Sequence, residues 1–133
     1  MEPRISIITL GVTDLARAIA FYQDGLGLER SENGDDIGFF KLRGIWLALY
    51  DRAELAKDAN FTDLSPTISG FPGFTLAYNV ETKTEVDALL QRASEVGGQI
   101  VKAGEKAFWG GYSGYFTDPD GYVWEVATNP NKL

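Results

Sequence analysis

The fold is decided by the stretch GYFTDPDGYVWEVA, residues 114–127. Its centre is the tetrapeptide from Asp118 to Gly121, which has proline at the second position and glycine at the fourth. Proline fixes φ at the value that this turn position needs, and glycine adopts positive φ at low cost. Strand-forming residues on either side predict strands over 114–117 and 122–128. The stretch therefore predicts an antiparallel β-hairpin.

The segment before this hairpin is predicted to contain one helix and two further strands. Residues 74–80 and 99–103 are typical of strands, and apolar residues recur at helical spacing over 82–96. Gly97 and Gly98 end this helix, because glycine adopts the left-handed conformation of a helix C-terminus. With the hairpin, the second half of the chain has the order βαβββ.

The first half of the chain shows the same order of elements. A helix is predicted over 15–22, with Thr13 or Asp14 as its N-cap. The predicted strands of this half cover residues 5–12, 28–31, 37–42 and 45–51.

Equivalent positions recur in the two halves of the chain. Val12 and Val80 differ by 68 positions, and each closes a strand before a helix. Gly44 and Gly121 differ by 77 positions, and each precedes a strand. The sequence therefore predicts an internal duplication.

We predict an α+β fold of two βαβββ modules that form a curved mixed sheet around a concave cavity. The modules cover about residues 4–51 and 73–129 of a single domain over 1–133. Residues 52–72 predict a linker with one helical turn over 53–59.

Two residue types that the chain lacks exclude several kinds of site. The 133 residues include no histidine and no cysteine. The chain therefore has no disulfide, no thiolate nucleophile, no Ser-His-Asp relay, and neither imidazole nor thiolate metal ligands. Any proton transfer would use a carboxylate, a lysine, a tyrosine or water.

The charge balance bears on the partners of the protein. The formal net charge is -7, and the basic residues form no stripe. This pattern disfavours nucleic acid and mildly favours cationic ligands. No apolar run approaches the roughly 20 residues that cross a bilayer, and no signal peptide is recognisable. We expect a cytoplasmic protein with neither a nucleic-acid nor a membrane partner.

The sequence resembles the vicinal oxygen chelate superfamily, which includes glyoxalases, bleomycin-resistance proteins, extradiol dioxygenases and epimerases. VTDLARA at 12–18, FY at 21–22 and GLG at 25–27 are similar to its N-terminal motif, and residues 114–127 to its C-terminal hairpin. The resemblance covers nearly the whole chain outside the linker. It implies the fold given above and a homodimer, but it does not select a reaction, since one scaffold hosts several chemistries.

The resemblance also implies where a divalent metal would bind. Metal-dependent members place ligands at four inward positions, which here correspond to Ile7, Ala48, Thr75 and Glu125. Isoleucine and alanine cannot coordinate a metal, and a threonine hydroxyl is a poor ligand for transition metals. We therefore expect no metal site and no cofactor.

Glu125 is the remaining candidate for chemistry. Strand alternation places it with Val123 and Ala127 on one face, and Trp124 on the other. If the Trp124 face packs on the helices, Glu125 faces the cavity and serves as a general base or anchors a ligand. The alternative is a structural role in which its hydrogen-bond partner is Thr75, Thr9 or Tyr112.

Aromatic residues complete the predicted site. Trp46 and Tyr50 share the face of Ala48, and one of Phe39 and Phe40 lies with them; we take Phe39. Alternation continued through the hairpin predicts that Tyr112 and Phe116 lie on the face of Glu125, and Trp109 comes from a glycine-rich loop. The candidate ligand-binding residues are Ile7, Thr9, Phe39, Trp46, Ala48, Tyr50, Thr75, Trp109, Tyr112 and Phe116.

Four functions are compatible with this site. The first is a metal-independent protein that binds and sequesters a cationic or aromatic small molecule, as bleomycin-resistance proteins do. The second is a glyoxalase-like lyase or isomerase with Glu125 as general base. The third is a divalent-metal enzyme of the superfamily, and the fourth is a subunit or sensor with a vestigial cavity. We favour small-molecule binding, and the sequence leaves open whether any reaction is catalysed.

Overall fold

The computed structural model describes residues 1–31, 34–62 and 70–130. The chain divides into two compact units, Met1–Thr67 (unit 1) and Ile68–Leu133 (unit 2). Each unit contains its own four-stranded sheet. No helix among the described residues is long and apolar enough to span a membrane.

The described residues of unit 1 form four strands and two α-helices. A π-helical turn, Phe21–Gly25, continues the first helix. The elements are β1 (Ile7–Val12), α1 (Leu15–Ala20), β2 (Arg30–Ser31), β3 (Ile37–Lys41), β4 (Trp46–Asp51) and α2 (Arg52–Asp58). The strand order is β1-β4-β3-β2, with β1 parallel to β4 and the other pairs antiparallel.

Unit 2 repeats this arrangement. Its elements are β5 (Thr75–Asn79), α3 (Lys83–Glu95), β6 (Gln99–Lys106), β7 (Tyr112–Thr117) and β8 (Val123–Thr128). The strand order is β5-β8-β7-β6, and only β5 and β8 are parallel. Two mixed sheets with the same order confirm the predicted α+β fold and its internal duplication.

Each sheet packs one face on a helix. In unit 1, α1 contacts β3 and β4, and a Cβ added at Gly38 would lie 2.8 Å from Ile19 Cγ1. In unit 2, α3 packs on β6, β7 and β8. The buried side chains between helix and sheet include Leu10, Val12, Phe21, Tyr22, Phe40, Leu47 and Leu49 in unit 1, and Val86, Leu90, Phe116 and Val126 in unit 2.

The helix starts follow from capping side chains. Asp14 is the N-cap of α1, and its Oδ1 accepts a hydrogen bond from the Arg17 N–H at 3.0 Å. Thr82 and Glu85 form a capping box at α3, in which each side chain accepts from the backbone N–H of the other. These bonds satisfy amides that have no partner inside the helix.

Several boundaries differ from the predicted ones. The regular part of α1 ends at Ala20, and the π-helical turn takes over at Phe21. The predicted turn within the linker is a seven-residue helix, α2, capped by Asp51. Residues 63–69 of the predicted linker lie outside the described residues. In unit 2, β6 and β7 extend to Lys106 and back to Tyr112, which makes a longer hairpin than predicted.

The turn between β7 and β8 is stabilised by the side chain of Asp118. Its Oδ1 accepts hydrogen bonds from the N–H groups of Asp120 and Tyr122, both at 2.9 Å, and Asp118 is 3% exposed. The Gly121 N–H donates to the Asp118 carbonyl at 3.1 Å, and Gly121 has a φ of 93°. The turn predicted over Asp118 to Gly121 is thus present.

Replacement of Asp118 with alanine is expected to lower the free energy of unfolding by about 1–3 kcal/mol, because two amides in a buried turn lose their acceptor. Asp118→Asn keeps an acceptor oxygen at this position and is expected to lose less than half as much. Urea denaturation followed by circular dichroism measures both. Equal stability of Asp118→Ala and the parent protein would contradict this role.

Candidate functional site

Six predicted site residues lie on one face of the unit 1 sheet, opposite α1, which we call the Ala48 face. In the strand register Ile7 lies beside Trp46, and Ala48 lies between Thr9 and Phe39. Tyr50 follows two residues after Ala48 and pairs with Ile37. Paired residues point to the same side of a sheet. The six residues are Ile7, Thr9, Phe39, Trp46, Ala48 and Tyr50.

The Trp46 ring contacts two neighbouring side chains of the Ala48 face. The rings of Phe39 and Trp46 meet edge to face, with centroids 6.1 Å apart and an interplanar angle of 81°. Lys41 Nζ lies 6.0 Å from the Trp46 ring centroid. Phe40 lies on the opposite side and is fully buried, so Phe39 is the residue of this pair on the Ala48 face. The face is therefore mainly aromatic and aliphatic.

Glu125 lies on the face of the unit 2 sheet opposite α3, which we call the Glu125 face. It pairs with Ala77 on β5 and with Tyr115 on β7, while Thr75 pairs with Val123 two residues away. The Tyr115 hydroxyl donates a hydrogen bond to Glu125 Oε2 at 3.0 Å. Within unit 2 the partner of Glu125 is thus Tyr115, and not Thr75 or Tyr112, two of the alternatives named above.

The pair changes the acidity of the phenol. Burial, followed by the hydrogen bond to Glu125 and its charge, raises the pKa of Tyr115 above the ordinary value of 10.0, while Lys102 lowers it to a lesser extent. Each of these causes except Lys102 favours the neutral phenol. Tyr115 therefore donates to Glu125 throughout the neutral pH range.

The prediction that Tyr112 and Phe116 share the face of Glu125 is wrong. Tyr112 donates a hydrogen bond from its hydroxyl to Asp87 Oδ1 on α3 at 2.8 Å. Phe116 is 1% exposed and its ring stacks on Trp124, with centroids 6.1 Å apart. Both side chains lie on the helix side of the sheet.

The physical reason is the length of the turn. Thr117 pairs with Val123, so five residues, 118–122, lie outside the ladder. With this register Phe116 lies opposite Trp124 and Tyr115 lies opposite Glu125. Odd-numbered residues of both strands therefore share the Glu125 face, and Tyr112 and Phe116 occupy the other.

Trp109 contributes to a cleft of about 600 Å³ within unit 2. A Cβ at Gly111 would overlap the Trp109 ring, so the ring can pack there only because this residue is glycine. The cleft is lined by Lys102, Glu105, Lys106, Ala107, Phe108, Trp109, Ser113 and Tyr115. Tyr115 lines the cleft and also donates its hydroxyl hydrogen bond to Glu125.

A β-bulge determines the charged wall of this cleft. Lys102 pairs with Tyr115 and Glu105 with Ser113, so both lie on the Glu125 face although they are three residues apart. The register shift between them supplies the extra residue that makes this possible. Lys102 Nζ lies 3.0 Å from Glu105 Oε1.

Comparison with known proteins identifies the family of this chain. A family model described as "Glyoxalase/Bleomycin resistance protein/Dioxygenase superfamily" matches residues 4–126. The chain belongs to this superfamily. The resemblance inferred from the two sequence motifs is thereby confirmed.

Individual members of the superfamily show how widely the fold is used. The chain is 31% identical over 127 residues to the metallothiol transferase FosB of Staphylococcus haemolyticus, covering 93% of this chain and 82% of the relative. A glyoxalase-related enzyme from Fulvimarina pelagi is 34% identical with a TM-score of 0.85, covering 96% and 89% of the two chains. A family enzyme from Burkholderia phytofirmans PsJN, 22% identical with a TM-score of 0.82 over 94% and 98%, shares the fold.

The resemblance implies four positions for metal ligands, two in each unit. Their side chains are those of Ile7, Ala48, Thr75 and Glu125, and of these only the carboxylate is a good ligand. Glu125 already accepts a hydrogen bond from Tyr115. Among the residues that the structure describes, no cluster of three or more acidic, histidine or cysteine side chains is suited to a metal ion.

Sequence reasoning missed Tyr115, Lys102 and Ser113. For Tyr115 the signal was incomplete, because its face depends on whether four or five residues lie outside the ladder at the Asp118 turn, and the sequence pattern predicted four. For Lys102 no such signal existed, since its face depends on two register shifts between β6 and β7. Superfamily membership by itself indicates none of these three residues.

The Tyr115–Glu125 pair is expected to appear in a titration of tyrosinate absorbance. Glu125→Gln removes the negative charge and should move the pKa of Tyr115 down towards 10.0, with Tyr115→Phe used to assign the step. Asp87→Asn is the matched control, because Asp87 raises the pKa of Tyr112 through its hydrogen bond and should leave Tyr115 unchanged.

The same shift has a consequence for stability. A raised pKa favours the neutral phenol in the folded state, so the contribution of the hydrogen bond is complete below about pH 10 and is lost as pH rises through the raised value. The stability difference between the parent protein and Tyr115→Phe should therefore shrink in alkali. A titration of Glu125→Gln that superimposes on that of the parent would refute the pairing.

Proposed function

We propose that this protein binds a small organic molecule without a resident divalent metal. The observation that carries the proposal is the set of side chains at the four metal positions of the superfamily, where only Glu125 can ligate and Tyr115 is hydrogen-bonded to it. A single carboxylate would leave most of a metal's coordination shell to water.

The shape of the ligand is suggested by the aromatic side chains. Trp46, Phe39 and Tyr50 lie together on the Ala48 face, and Trp109 and Tyr115 border the cleft of unit 2. Aromatic surfaces with a few polar groups are typical of sites for flat organic molecules. Binding in the manner of a sequestering resistance protein is consistent with these surfaces, and the homodimer expected from the sequence stays a prediction.

A second candidate is a metal-dependent enzyme. It is favoured by the relative from Staphylococcus haemolyticus, whose name describes a metallothiol transferase. A third candidate, a lyase or isomerase with Glu125 as general base, is favoured by the position of this half-buried carboxylate beside a hydroxyl on the sheet face opposite α3. A metal-dependent enzyme needs metal ligands that three of the four positions lack. We therefore place metal-free binding ahead of it.

Metal content distinguishes the first two candidates. Protein purified without chelator is expected to contain well under one equivalent of zinc, manganese, iron or nickel by plasma mass spectrometry, because no set of ligands holds the ion. Stoichiometric metal that survives gel filtration, and whose removal by a chelator lowers the melting temperature, would overturn the metal-free proposal.

Substitution of Glu125 distinguishes binding from catalysis. Aromatic compounds that raise the melting temperature are expected to lose several-fold in affinity towards Glu125→Gln, while Glu95→Gln, a change of an exposed carboxylate on α3, should bind like the parent. If one of these compounds is converted by the parent protein, loss of its turnover in Glu125→Gln at unchanged affinity would instead favour a catalytic role of Glu125 as general base. If affinity and turnover both stay unchanged, Glu125 is only structural.

A further inference from the structure

We propose that Ser113 is a ligand-binding residue of the unit 2 cleft, and that it recognises an uncharged hydroxyl or carbonyl group on a planar aromatic ligand. This inference rests on the proposed small-molecule binding function. It adds the chemical class of the ligand and one residue that selects it, and the site residues predicted from the sequence do not include that residue.

The hydroxyl of Ser113 is buried and has no hydrogen-bond partner among the described residues. Ser113 and Asp118 are the two polar residues that the structure buries among those it describes, at 5% and 3% exposed. The Asp118 carboxylate accepts two hydrogen bonds, whereas within residues 1–31, 34–62 and 70–130 no hydrogen bond involves the Ser113 hydroxyl. A buried hydroxyl without a partner is unfavourable, and such groups are normally completed by a ligand or by water.

The oxygen of Ser113 opens on the cleft. Ser113 lines this cleft of about 600 Å³, and its oxygen is not among the unpartnered side-chain atoms that are sealed from solvent. The strand register places Ser113 between Glu105 on β6 and Ala127 on β8, so its side chain lies on the Glu125 face. A molecule in the cleft can therefore supply the partner that the described protein groups do not.

The walls beside Ser113 favour a planar ring. Gly111 lies two residues before Ser113, and a Cβ there would overlap the Trp109 ring, so the indole packs directly against the backbone. Tyr115 lies two residues after Ser113, and its hydroxyl is held by Glu125. Aromatic walls that already have contacts lose little conformational entropy when a ring stacks on them. The volume of the cleft suits a ligand of one or two fused rings.

The charged groups around the cleft favour an uncharged substituent. Of the two lysines in the lining, Lys102 is paired with Glu105 at 3.0 Å, and Lys106 comes from the α3 side of the sheet. Glu125 adjoins the cleft through the phenol that donates to it, and it repels an anion. A charged group of either sign that reached the buried Ser113 would exchange its hydration for one neutral hydroxyl. An uncharged hydroxyl or carbonyl loses much less hydration there.

The test compares naphthol with naphthalene, which has the same rings without the oxygen, in the parent protein and in Ser113→Ala. The indole N–H resonance of Trp109, assigned with Trp109→Phe, reports binding in the cleft, and naphthol is expected to shift it saturably. Ser113→Ala should lower the affinity for naphthol about two- to tenfold, the worth of one uncharged hydrogen bond, and should leave that for naphthalene within about twofold. Naphthoate and naphthylmethylammonium should bind more weakly than naphthol.

A matched control and a second measurement distinguish ligand binding from a structural role. The Ser94 hydroxyl donates to the Gln91 carbonyl at 2.8 Å on α3, outside the cleft lining, so Ser94→Ala should bind naphthol like the parent. Ser113→Ala removes no hydrogen bond within the described protein, and a buried methyl group needs no partner. The melting temperature of ligand-free Ser113→Ala should therefore equal or exceed that of the parent.

The outcomes separate this inference from the proposed function. Unchanged naphthol affinity in Ser113→Ala, equal losses for naphthol and naphthalene, or a lower melting temperature of the ligand-free variant would overturn the role of Ser113. Tightest binding of a charged probe, or the absence of a saturable shift at Trp109, would overturn the ligand class; each of these results leaves metal-free binding intact. Naphthol binding that disappears with a chelator and returns with added metal would instead overturn the proposed function.

Discussion

The hydrogen bonds to the Asp118 carboxylate at the β7–β8 turn fix which side chains of unit 2 face its helix. They hold five residues outside the ladder, and the pairing of Tyr115 with Glu125 follows from that number. One residue more or fewer would turn every side chain of β7 to the opposite face relative to β8. The hydroxyl beside Glu125 would then be replaced by the ring of Phe116 or by Gly114. The site depends on this turn more than on any single residue within it.

Most of the fold could be predicted from local chemistry. The cap candidates Thr13 and Asp14, the turn at Asp118 and the repeated strand pattern are short-range signals, and each predicted an element that the structure contains. The Ala48 face was also predictable, because β1 and β4 are regular strands in which alternation holds. The errors concern connections: the extent of the β6–β7 hairpin, the face of Tyr112 and Phe116, and the partner of Glu125. These depend on loop length and on register shifts, which residue composition does not determine.

Superfamily membership does not determine the side chains at the four positions where the resemblance places metal ligands. The fold of the chain is that of proteins with several activities, and one of its relatives has a metal in its name. The side chains of this chain at those positions are aliphatic, hydroxylic and acidic, and the acid is hydrogen-bonded to Tyr115. Fold assignment transfers to the chain because backbone topology is shared; a metal site transfers only when its ligands are present.

The duplicated sheets make Ala48 and Glu125 equivalent positions, and they make their cross-strand neighbours equivalent too. Phe39 lies beside Ala48 in unit 1, and Tyr115 lies beside Glu125 in unit 2. The two aromatic residues differ by one hydroxyl, and that hydroxyl is present only where the neighbouring position carries an acid to accept its hydrogen bond. The two equivalent pairs thus differ in character: the pair in unit 1 is apolar and the pair in unit 2 is polar. Related sequences should exchange Phe–Ala for Tyr–Glu as a unit, and covariation at these two positions would be a record of how one ancestral sheet became two different surfaces.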